Sequence, residues 1–305
     1  MKVLFATDGS PEDQQARQFV ARALWPAGSE IELFGVLVPV DLAVTGDLLD
    51  RDERDFEHEL DDLATSLPRR DVAVTWRAAV GQPADTIAAR ARATEADLIV
   101  VGTRGRGPLA TSLLGSVSAG VIDRAPCPVL VARTAQTKRI LFADDGSIGA
   151  ATAGALLDAW PIFDERSLQV VTVVDVGRPL SVSGEAPMLY SDERPYAQAL
   201  DEQREHTQQS VAARAKTLKP RPRPIKTSVR VGDAAGEILA AAHDFAADLI
   251  VMGSRGQTGL ARFFAGSVAR EVLFGARCSV LIARGSAQLV RDRERTTALD
   301  GLAVV

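Results

Sequence analysis

Residues 97–120 read DLIVVGTRGRGPLATSLLGSVSAG, and residues 248–271 repeat the pattern as DLIVMGSRGQTGLARFFAGSVARE. In each copy an apolar, strand-like run ends at a glycine, and a second glycine follows after two residues. Nine residues later, Gly-Ser opens a helix-like run. Two copies with the same spacing predict one ligand-binding segment in each half of the chain. The repeated positions are Gly102, Gly105, Gly115 and Ser116 in the first copy and Gly253, Gly256, Gly266 and Ser267 in the second.

The chain length and composition are those of a globular protein with more than one domain. Its 305 residues are enough for two domains with separate cores, and it is 46% hydrophobic and 25% charged. A net charge of -5 gives no electrostatic reason to bind nucleic acid or an anionic membrane. No apolar run reaches the roughly 18 residues of a membrane helix, and the N-terminus lacks the apolar stretch of a signal peptide. We therefore expect a cytoplasmic protein with neither nucleic acid nor membrane as a partner.

Strand-like and helix-like segments alternate along the first half of the chain. KVLFAT (2–7) is typical of a buried strand, and DERDFEHELDDLATSL (52–67) has apolar residues at helical spacing. A helix is also expected from Pro11, with acids in its first turn suited to the helix dipole and an apolar stripe that ends at Leu24. This alternation predicts an α/β fold with a parallel sheet flanked by helices.

The second half of the chain repeats the first. RILFADDGS (139–147) matches KVLFATDGS (2–10), so that Asp145 corresponds to Asp8 and Asp144 to Thr7. We predict two tandem domains, 1–134 and 138–285, followed by a charged tail, 286–305. Cys127 and Cys278 occupy equivalent positions before the last strand of each repeat, and we expect them to be small buried residues.

The expected site lies where the strands end. In open parallel sheets, ligands bind outside the carboxyl ends of the strands, and Asp8 and Gly102 follow the first and fourth strands. A glycine at 102 leaves room for a ligand against the backbone, and Gly105 permits a positive φ. Gly115-Ser116 then presents backbone N–H groups at a helix N-terminus, where phosphate binds well. The serine would also serve as the helix N-cap, and the two roles are compatible.

The standard phosphate loops do not fit the sequence. The chain contains no G-x-x-x-x-G-K-[ST], and its first strand is followed by D-G-S in place of G-x-G-x-x-G. D-G-S after strand one, DLIV before the first glycine and the glycine–serine spacing together resemble the universal stress proteins. Both repeats carry the signature of the ATP-binding branch. The resemblance implies two tandem doubly wound domains, each a five-stranded parallel sheet in the order 3-2-1-4-5.

The resemblance also implies an adenine-nucleotide pocket in each repeat. In the first, Asp8 would face the adenosine, Val36 would border the adenine, and Val101 and Gly102 would lie along the base and ribose. The equivalent residues of the second repeat are Asp145, Val173, Met252 and Gly253. The implied phosphate positions are Gly105, Gly115, Ser116 and Val117 in the first repeat and Gly256, Gly266, Ser267 and Val268 in the second.

Several roles stay open on the sequence alone. Arg104 and Arg255, inside the two loops, are equally consistent with phosphate contact and with exposed loop positions. Asp8 and Asp145 are interpreted as ligand contacts, although aspartates after strands also form turns. Asp144 would place an additional carboxylate near the second pocket, which would either attract Mg2+ or disfavour phosphate.

The two loops differ in ways that predict unequal binding. Pro108 in the first loop corresponds to Gly259 in the second, and Arg106 corresponds to Gln257. We expect both pockets to bind, with different affinities. Family members pair through their fifth strands, so the resemblance implies that 128–131 and 279–282 join the repeats as an intramolecular pseudo-dimer. A homodimer of the whole chain is a further possibility.

These observations predict a stress-response or regulatory protein that binds ATP, with or without Mg2+, in each domain. No catalytic residue and no protein metal ligand are predicted, because neither repeat supplies the lysine and Mg2+-binding set of efficient phosphoryl transfer. The alternatives are a slow ATP hydrolase, in which Asp8 or Asp145 positions Mg2+ or water, and an interaction scaffold with vestigial pockets.

Overall fold

A computed structural model describes seven parts of the chain. They are residues 1–38, 46–67, 71–103, 114–175, 194–222, 224–254 and 266–284, with 46–53 and 194–200 described by their backbone alone. The predicted tail, 286–305, lies outside these residues. No helix in the described ranges combines the length and apolar character that a membrane crossing requires.

The first repeat alternates strands and helices as its sequence predicts. Its strands are β1 (Lys2–Ala6), β2 (Ser29–Leu37), β3 (Val72–Val80), β4 (Leu98–Val101) and β5 (Val129–Val131). Its helices are α1 (Gln14–Arg22), α2 (Gly46–Ser66), α3 (Pro83–Ala93) and α4 (Ser116–Arg124), with a short 3-10 turn at Pro11–Asp13 before α1. The helix expected from Pro11 therefore begins as this turn, and Leu24 lies beyond the end of α1, exposed to solvent.

The second repeat follows the same order. Its strands are β6 (Arg139–Ala143), β7 (Ser167–Asp175), β8 (Lys226–Gly232), β9 (Leu249–Gly253) and β10 (Ser279–Ala283). Its helices are α5 (Ile148–Ala159), α6 (Arg194–Lys216), α7 (Ala234–Asp244) and α8 (Ser267–Gly275), with a 3-10 turn at Pro161–Phe163.

All ten strands form one sheet in the order β3-β2-β1-β4-β5-β10-β9-β6-β7-β8. Within each repeat every strand pair is parallel, and the order is the predicted 3-2-1-4-5. The predicted fold class is therefore confirmed. Helices cover both faces, so the central strands are apolar throughout, as in β4, whose four residues are all buried.

The aspartate that opens each DLIV segment has a structural role at the opposite, amino-terminal edge. Asp97 Oδ2 accepts a hydrogen bond from the backbone N–H of Lys2 at 2.7 Å. Asp248 Oδ2 accepts from the backbone N–H groups of Lys138 and Arg139 at 3.1 and 2.9 Å. Each aspartate thus ties the start of its fourth strand to the start of the first strand of the same repeat.

The two repeats meet through an antiparallel pairing of β5 with β10, in which Leu130 lies opposite Leu281. Two equivalent arginines cross this junction in opposite directions. Arg133 Nη2 donates to the carbonyl of Leu273 at 2.6 Å, and Arg284 Nη1 donates to the carbonyl of Asp123 at 3.1 Å. Each guanidinium thereby reaches backbone carbonyls in the last turn of the other repeat's final helix, where the helix dipole favours a cation.

A single buried serine anchors the chain as it leaves β5. The Ser279 hydroxyl oxygen accepts hydrogen bonds from the backbone N–H groups of Arg133 and Thr134, at 3.0 and 3.1 Å, and the residue is fully buried. The equivalent position of the first repeat is Pro128, which has no side-chain hydroxyl. The hydroxyl of Ser279 therefore anchors the chain after β5, and Pro128 cannot anchor the chain after β10 in the same way.

Replacing Ser279 with alanine is expected to lower the free energy of unfolding by about 2 kcal/mol, because two backbone N–H groups lose a buried acceptor. Chemical denaturation measures the change. Ser66→Ala is the matched control, since the Ser66 hydroxyl donates to the carbonyl of Leu63 in its own helix; its effect should stay within about 0.5 kcal/mol. Equal effects of the two substitutions would contradict the anchoring role.

Candidate functional site

The residues singled out after the first and fourth strands converge on one edge of each repeat. Ala6, at the end of β1, lies opposite Phe34 on β2 and Val101 on β4. Asp8 and Gly102 therefore leave neighbouring strands at the same edge. In the second repeat Ala143 occupies the equivalent position, opposite Val171 and Met252, and places Asp145 and Gly253 in the same way.

Each D-G-S segment forms a tight turn closed by its own aspartate. The backbone N–H of Ser10 donates to Asp8 Oδ1, and that of Ser147 donates to Asp145 Oδ1, both at 3.0 Å. The glycine between them has φ of 75° in the first repeat and 74° in the second, a left-handed conformation that favours glycine. Turn formation is thus an observed role of both aspartates, and ligand contact by them stays a prediction.

A buried carboxylate supports the first turn. Asp13 is 3% exposed, and its Oδ2 accepts from the Thr7 hydroxyl at 2.6 Å and from the backbone N–H of Asp8 at 3.2 Å. The Thr7 hydroxyl in turn accepts from the backbone N–H of Gly9 at 3.1 Å. Burial raises the pKa of Asp13 to about 6, above its ordinary value of 3.8. Sequence reasoning assigned this acid to the helix dipole and missed its contact with the turn.

The second turn is supported by Asp144 instead. This residue is 5% exposed, and its Oδ1 accepts from the backbone N–H of Gly146 at 2.8 Å. Its Oδ2 accepts from Arg214 Nε, on α6, at 2.6 Å. The prediction that Asp144 attracts Mg2+ or disfavours phosphate did not foresee this ion pair, which directs both carboxylate oxygens to groups of the protein.

In each repeat the glycine–serine pair opens a helix at the carboxyl edge, beside the D-G-S turn. Gly115 and Gly266 are the N-caps of α4 and α8, both with extended backbone, and neither helix has a side-chain cap hydrogen bond among the described residues. Ser116 and Ser267 are the first helical residues and are exposed, so the N-cap role expected of the serines belongs to the preceding glycines. Amide groups in an uncapped first helical turn are well suited to bind an anion.

Hydrogen bonds hold each cap beside the fourth strand. The backbone N–H of Gly115 donates to the carbonyl of Thr103 at 2.6 Å, and the buried Ser118 hydroxyl donates to the carbonyl of Gly102 at 2.8 Å. In the second repeat the N–H of Gly266 donates to the carbonyl of Ser254 at 2.8 Å. The start of each helix is therefore fixed next to the end of its strand.

The apolar site residues lie on one face of the sheet. Val36 and Val173 are half-buried near the ends of β2 and β7, whereas Val101 and Met252 are buried in the core beneath α3, α4, α7 and α8. Val117 is exposed, and Val268 is half-buried. The two valines of the second strands are therefore the more accessible ones for a base, while Val101 and Met252 offer mainly their backbone.

Gly253 has a packing role that the sequence did not indicate. A Cβ at this position would lie 2.5 Å from the carbonyl carbon of Gly149, at the start of α5. The absence of a side chain at 253 thus allows the helix to approach the strand. In the second repeat this close approach accounts for the glycine whether or not a ligand is bound.

The central part of each glycine loop lies outside the described residues. This applies to the predicted positions Arg104, Gly105, Arg255 and Gly256, and to the differences between Pro108 and Gly259 and between Arg106 and Gln257. Among the described residues no group of three or more metal-ligating side chains occurs. Cys127 and Cys278 are buried as predicted, and burial raises the pKa of their thiols to about 12 and about 11.

Fold and site together define a tandem α/β protein with one open strand-end site in each repeat. The model of the universal stress protein family matches the chain twice, over residues 1–133 and 136–284. The chain therefore belongs to the universal stress protein family.

One curated relative agrees with this membership, and two solved structures agree with the fold. A universal stress protein of Mycobacterium tuberculosis (strain H37Rv) is 33% identical over 201 residues, which are 63% of this chain and 63% of that protein. A universal stress protein from Archaeoglobus fulgidus DSM 4304 superposes with a TM-score of 0.65 at 19% identity, covering 93% of this chain and 98% of that one. A putative universal stress protein from Pseudomonas aeruginosa UCBPP-PA14 gives 0.58 at 18% identity, covering 97% of each chain.

Gly253→Ala is expected to lower the free energy of unfolding by about 2 kcal/mol, because the new methyl group would force α5 away from β9. Met252→Leu, a substitution of similar volume on the same buried strand, is the control and should cost less than about 1.5 kcal/mol. Urea denaturation of both variants provides the comparison. A Gly253→Ala protein as stable as the wild type would rule out the packing role.

Asp13 should make the protein less stable as pH rises. Because its pKa is raised from 3.8 to about 6 in the folded protein, the folded state binds the proton more tightly than the unfolded state. The free energy of unfolding should therefore fall as pH rises from about 4 to about 6, with at most about 3 kcal/mol from this group at about 1.4 kcal/mol per pKa unit.

Denaturation of wild type and Asp13→Asn at pH 4, 5, 6 and 7 tests this expectation. The variant should gain stability relative to wild type as pH rises through this window. Glu12→Gln, at the neighbouring exposed acid, is the control and should not produce this trend. A difference between Asp13→Asn and wild type that is constant with pH would be inconsistent with a titrating buried carboxyl.

Proposed function

We propose that each repeat binds an adenine nucleotide, ATP, at the carboxyl edge of its sheet, and that the protein acts in a stress response as a nucleotide-dependent regulator. The observation that carries the proposal is the uncapped first turn of α4 and of α8, fixed beside the D-G-S turn of the same repeat. Backbone amides at a helix N-terminus suit phosphate, and a carboxylate can accept hydrogen bonds from ribose hydroxyls. Family membership supports the stress-response role.

In the first repeat we assign the adenosine to Asp8, Val36, Val101 and Gly102. The phosphates are assigned to the start of α4, with the following residues in contact: Arg104, Gly105, Gly115, Ser116 and Val117. The exposed position of Ser116 supports this assignment, because the residue begins α4 and is open to solvent. Mg2+ that accompanies ATP would be held largely by the phosphate oxygens.

In the second repeat the equivalent adenosine contacts are Asp145, Val173, Met252 and Gly253. The assigned phosphate contacts are Arg255, Gly256, Gly266, Ser267 and Val268. The support is the same helix geometry, repeated with an extended glycine N-cap. The two sites differ in the residues beneath their turns, which supports unequal affinities.

We further propose that the paired arrangement of repeats within one chain is the functional unit, an intramolecular pseudo-dimer located in the cytoplasm. The β5–β10 pairing and the two crossing arginines support this proposal, since they bury groups from both repeats in one junction. One chain thereby carries two nucleotide sites without needing a second copy.

Isothermal titration with ATP tests the proposed function. The wild type should bind two equivalents with distinct affinities, and Gly115→Val and Gly266→Val should each remove one of them. Valine tolerates the extended backbone of both N-caps, so the substitutions add a side chain over the anion site with little backbone strain. The double variant should not bind ATP.

The control is Gly28→Asn, which adds a side chain at the opposite edge of the sheet, where nothing lies within 4 Å of the new Cβ. Asparagine tolerates the positive φ of 76° at this position. This variant should bind as the wild type does. The proposal would be abandoned if wild-type protein, verified as folded by circular dichroism, bound no adenine nucleotide.

A further inference from the structure

A buried carboxylate accepts a backbone N–H from the D-G-S turn in both repeats, but it comes from different positions. In the first repeat it belongs to Asp13, six residues after Thr7, which directly follows β1. In the second it belongs to Asp144, which occupies the position of Thr7, while Ala150 occupies the position of Asp13. The acid thus stands at a different sequence position in each repeat, but in both repeats it accepts a hydrogen bond from the turn.

The cation near each carboxylate has changed places as well. Arg17, on α1, is close enough to act on Asp13 and donates from Nη2 to the carbonyl of Ser10 at 2.9 Å; its equivalent in the second repeat is Gly154. Arg214, on α6, donates directly to Asp144, and its equivalent in the first repeat is the buried Leu63. An acid and an arginine accompany each turn, from different helices.

The two carboxylates differ in their immediate partners. Asp144 has a permanently charged guanidinium 2.6 Å away, which stabilises its negative charge. The described charged groups that act on Asp13 are Arg17, which favours the negative charge, and Asp8, which opposes it. Asp13 Oδ2 accepts hydrogen bonds from the Thr7 hydroxyl and from the backbone N–H of Asp8. Burial of this carboxyl disfavours its ionised form.

We propose that Asp13 and Asp144 are positioning residues for the two D-G-S turns, and that their different surroundings make nucleotide binding by the first repeat, but not by the second, sensitive to mild acid. The inference rests on the proposed function for its binding consequence. Its structural part stands independently of any nucleotide: the first turn is held by a buried carboxyl whose direct donors are a hydroxyl and an amide, and the second by a carboxylate bound to an arginine.

The direction of the effect follows from the hydrogen-bond chain. The N–H of Gly9 donates to Thr7 Oγ1, which directs the Thr7 hydroxyl proton to Asp13 Oδ2, and the same oxygen accepts from the N–H of Asp8. A protonated carboxyl is a weaker acceptor than a carboxylate. Protonation of Asp13 therefore loosens the backbone of Asp8, the residue assigned to the adenosine.

The structural part is tested by NMR on the full chain without nucleotide. The amide signals of Asp8 and Gly146 are followed from pH 5 to pH 8. The Asp8 amide should titrate with a midpoint near the pKa of Asp13, about 6, and the Gly146 amide should lack this transition. The Asp8 transition should vanish in Asp13→Asn. An Asp8 amide without a transition in this range, or one that persists in Asp13→Asn, would overturn the inference even if ATP binds.

The binding part is tested by titrating ATP at pH 7.5 and pH 5 into Gly266→Val, which isolates the first site, and into Gly115→Val, which isolates the second. The first site should weaken about tenfold more than the second, the effect of one charge-assisted hydrogen bond. Titration of the nucleotide's own phosphate also contributes at each site, and comparison with Asp13→Asn in the same background separates that contribution from the one due to Asp13.

Asp13→Asn and Asp144→Asn, each placed in these two backgrounds, complete the test. Asp13→Asn should weaken the first site at pH 7.5 and remove its additional pH dependence, and Asp144→Asn should weaken only the second. Equal pH dependence of the two sites, with both binding ATP, would overturn this inference and leave the proposed function intact. Absence of ATP binding at both sites would refute the proposed function instead, and the amide titrations would still decide the structural part.

Discussion

Parallel strand direction within each repeat is the constraint on which the rest of the structure depends. A parallel strand pair needs a crossover, and the helices that provide it cover both faces of the sheet. Core side chains occupy both faces of the sheet, so the loops that leave the strand ends are the places open to a ligand. At the amino edge of each repeat an aspartate, Asp97 in the first and Asp248 in the second, fastens neighbouring strands together. At the carboxyl edge of each repeat the D-G-S turn lies beside the start of α4 or α8, so that candidate ligand groups collect there.

The sequence was sufficient to predict the fold because its pattern is duplicated and its periodicities are strong. Apolar strand segments and helical spacing, such as that of Phe56 and Leu60, indicated the alternation of strands and helices. The family resemblance implied the strand order, and the structure has that order. The ends of elements were less predictable. Leu24 fits a helical stripe by spacing, yet α1 ends at Arg22 and leaves Leu24 exposed, because apolar periodicity does not indicate where a helix stops.

The candidate site was predictable in its location but not in its supporting contacts. The sequence pattern placed Asp8 and Gly102 at strand ends, and the strand order implied by the family resemblance made those two ends neighbours. It could not reveal that Asp13 turns inward, because an acid in a first helical turn has an ordinary explanation at the surface. The partner of Asp144 was equally hidden, since Arg214 is 70 residues away in the sequence. One signal was available in the aligned repeats. Thr7 corresponds to Asp144, and Asp13 corresponds to Ala150, so each repeat has one acid at this pair of positions. This pattern suggests that the two acids support the turn in the same way.

The antiparallel contact between β5 and β10 has a geometric consequence for the whole molecule. Since the strands of each repeat are parallel to one another, reversal at this single contact makes the strands of the two repeats point in opposite directions. The carboxyl edge of the first repeat and that of the second therefore lie on opposite borders of the continuous sheet. A molecule bound at one border would be separated from a molecule at the other by the length of the strands. The two candidate sites thus face away from each other, with the crossed arginines of the junction between them.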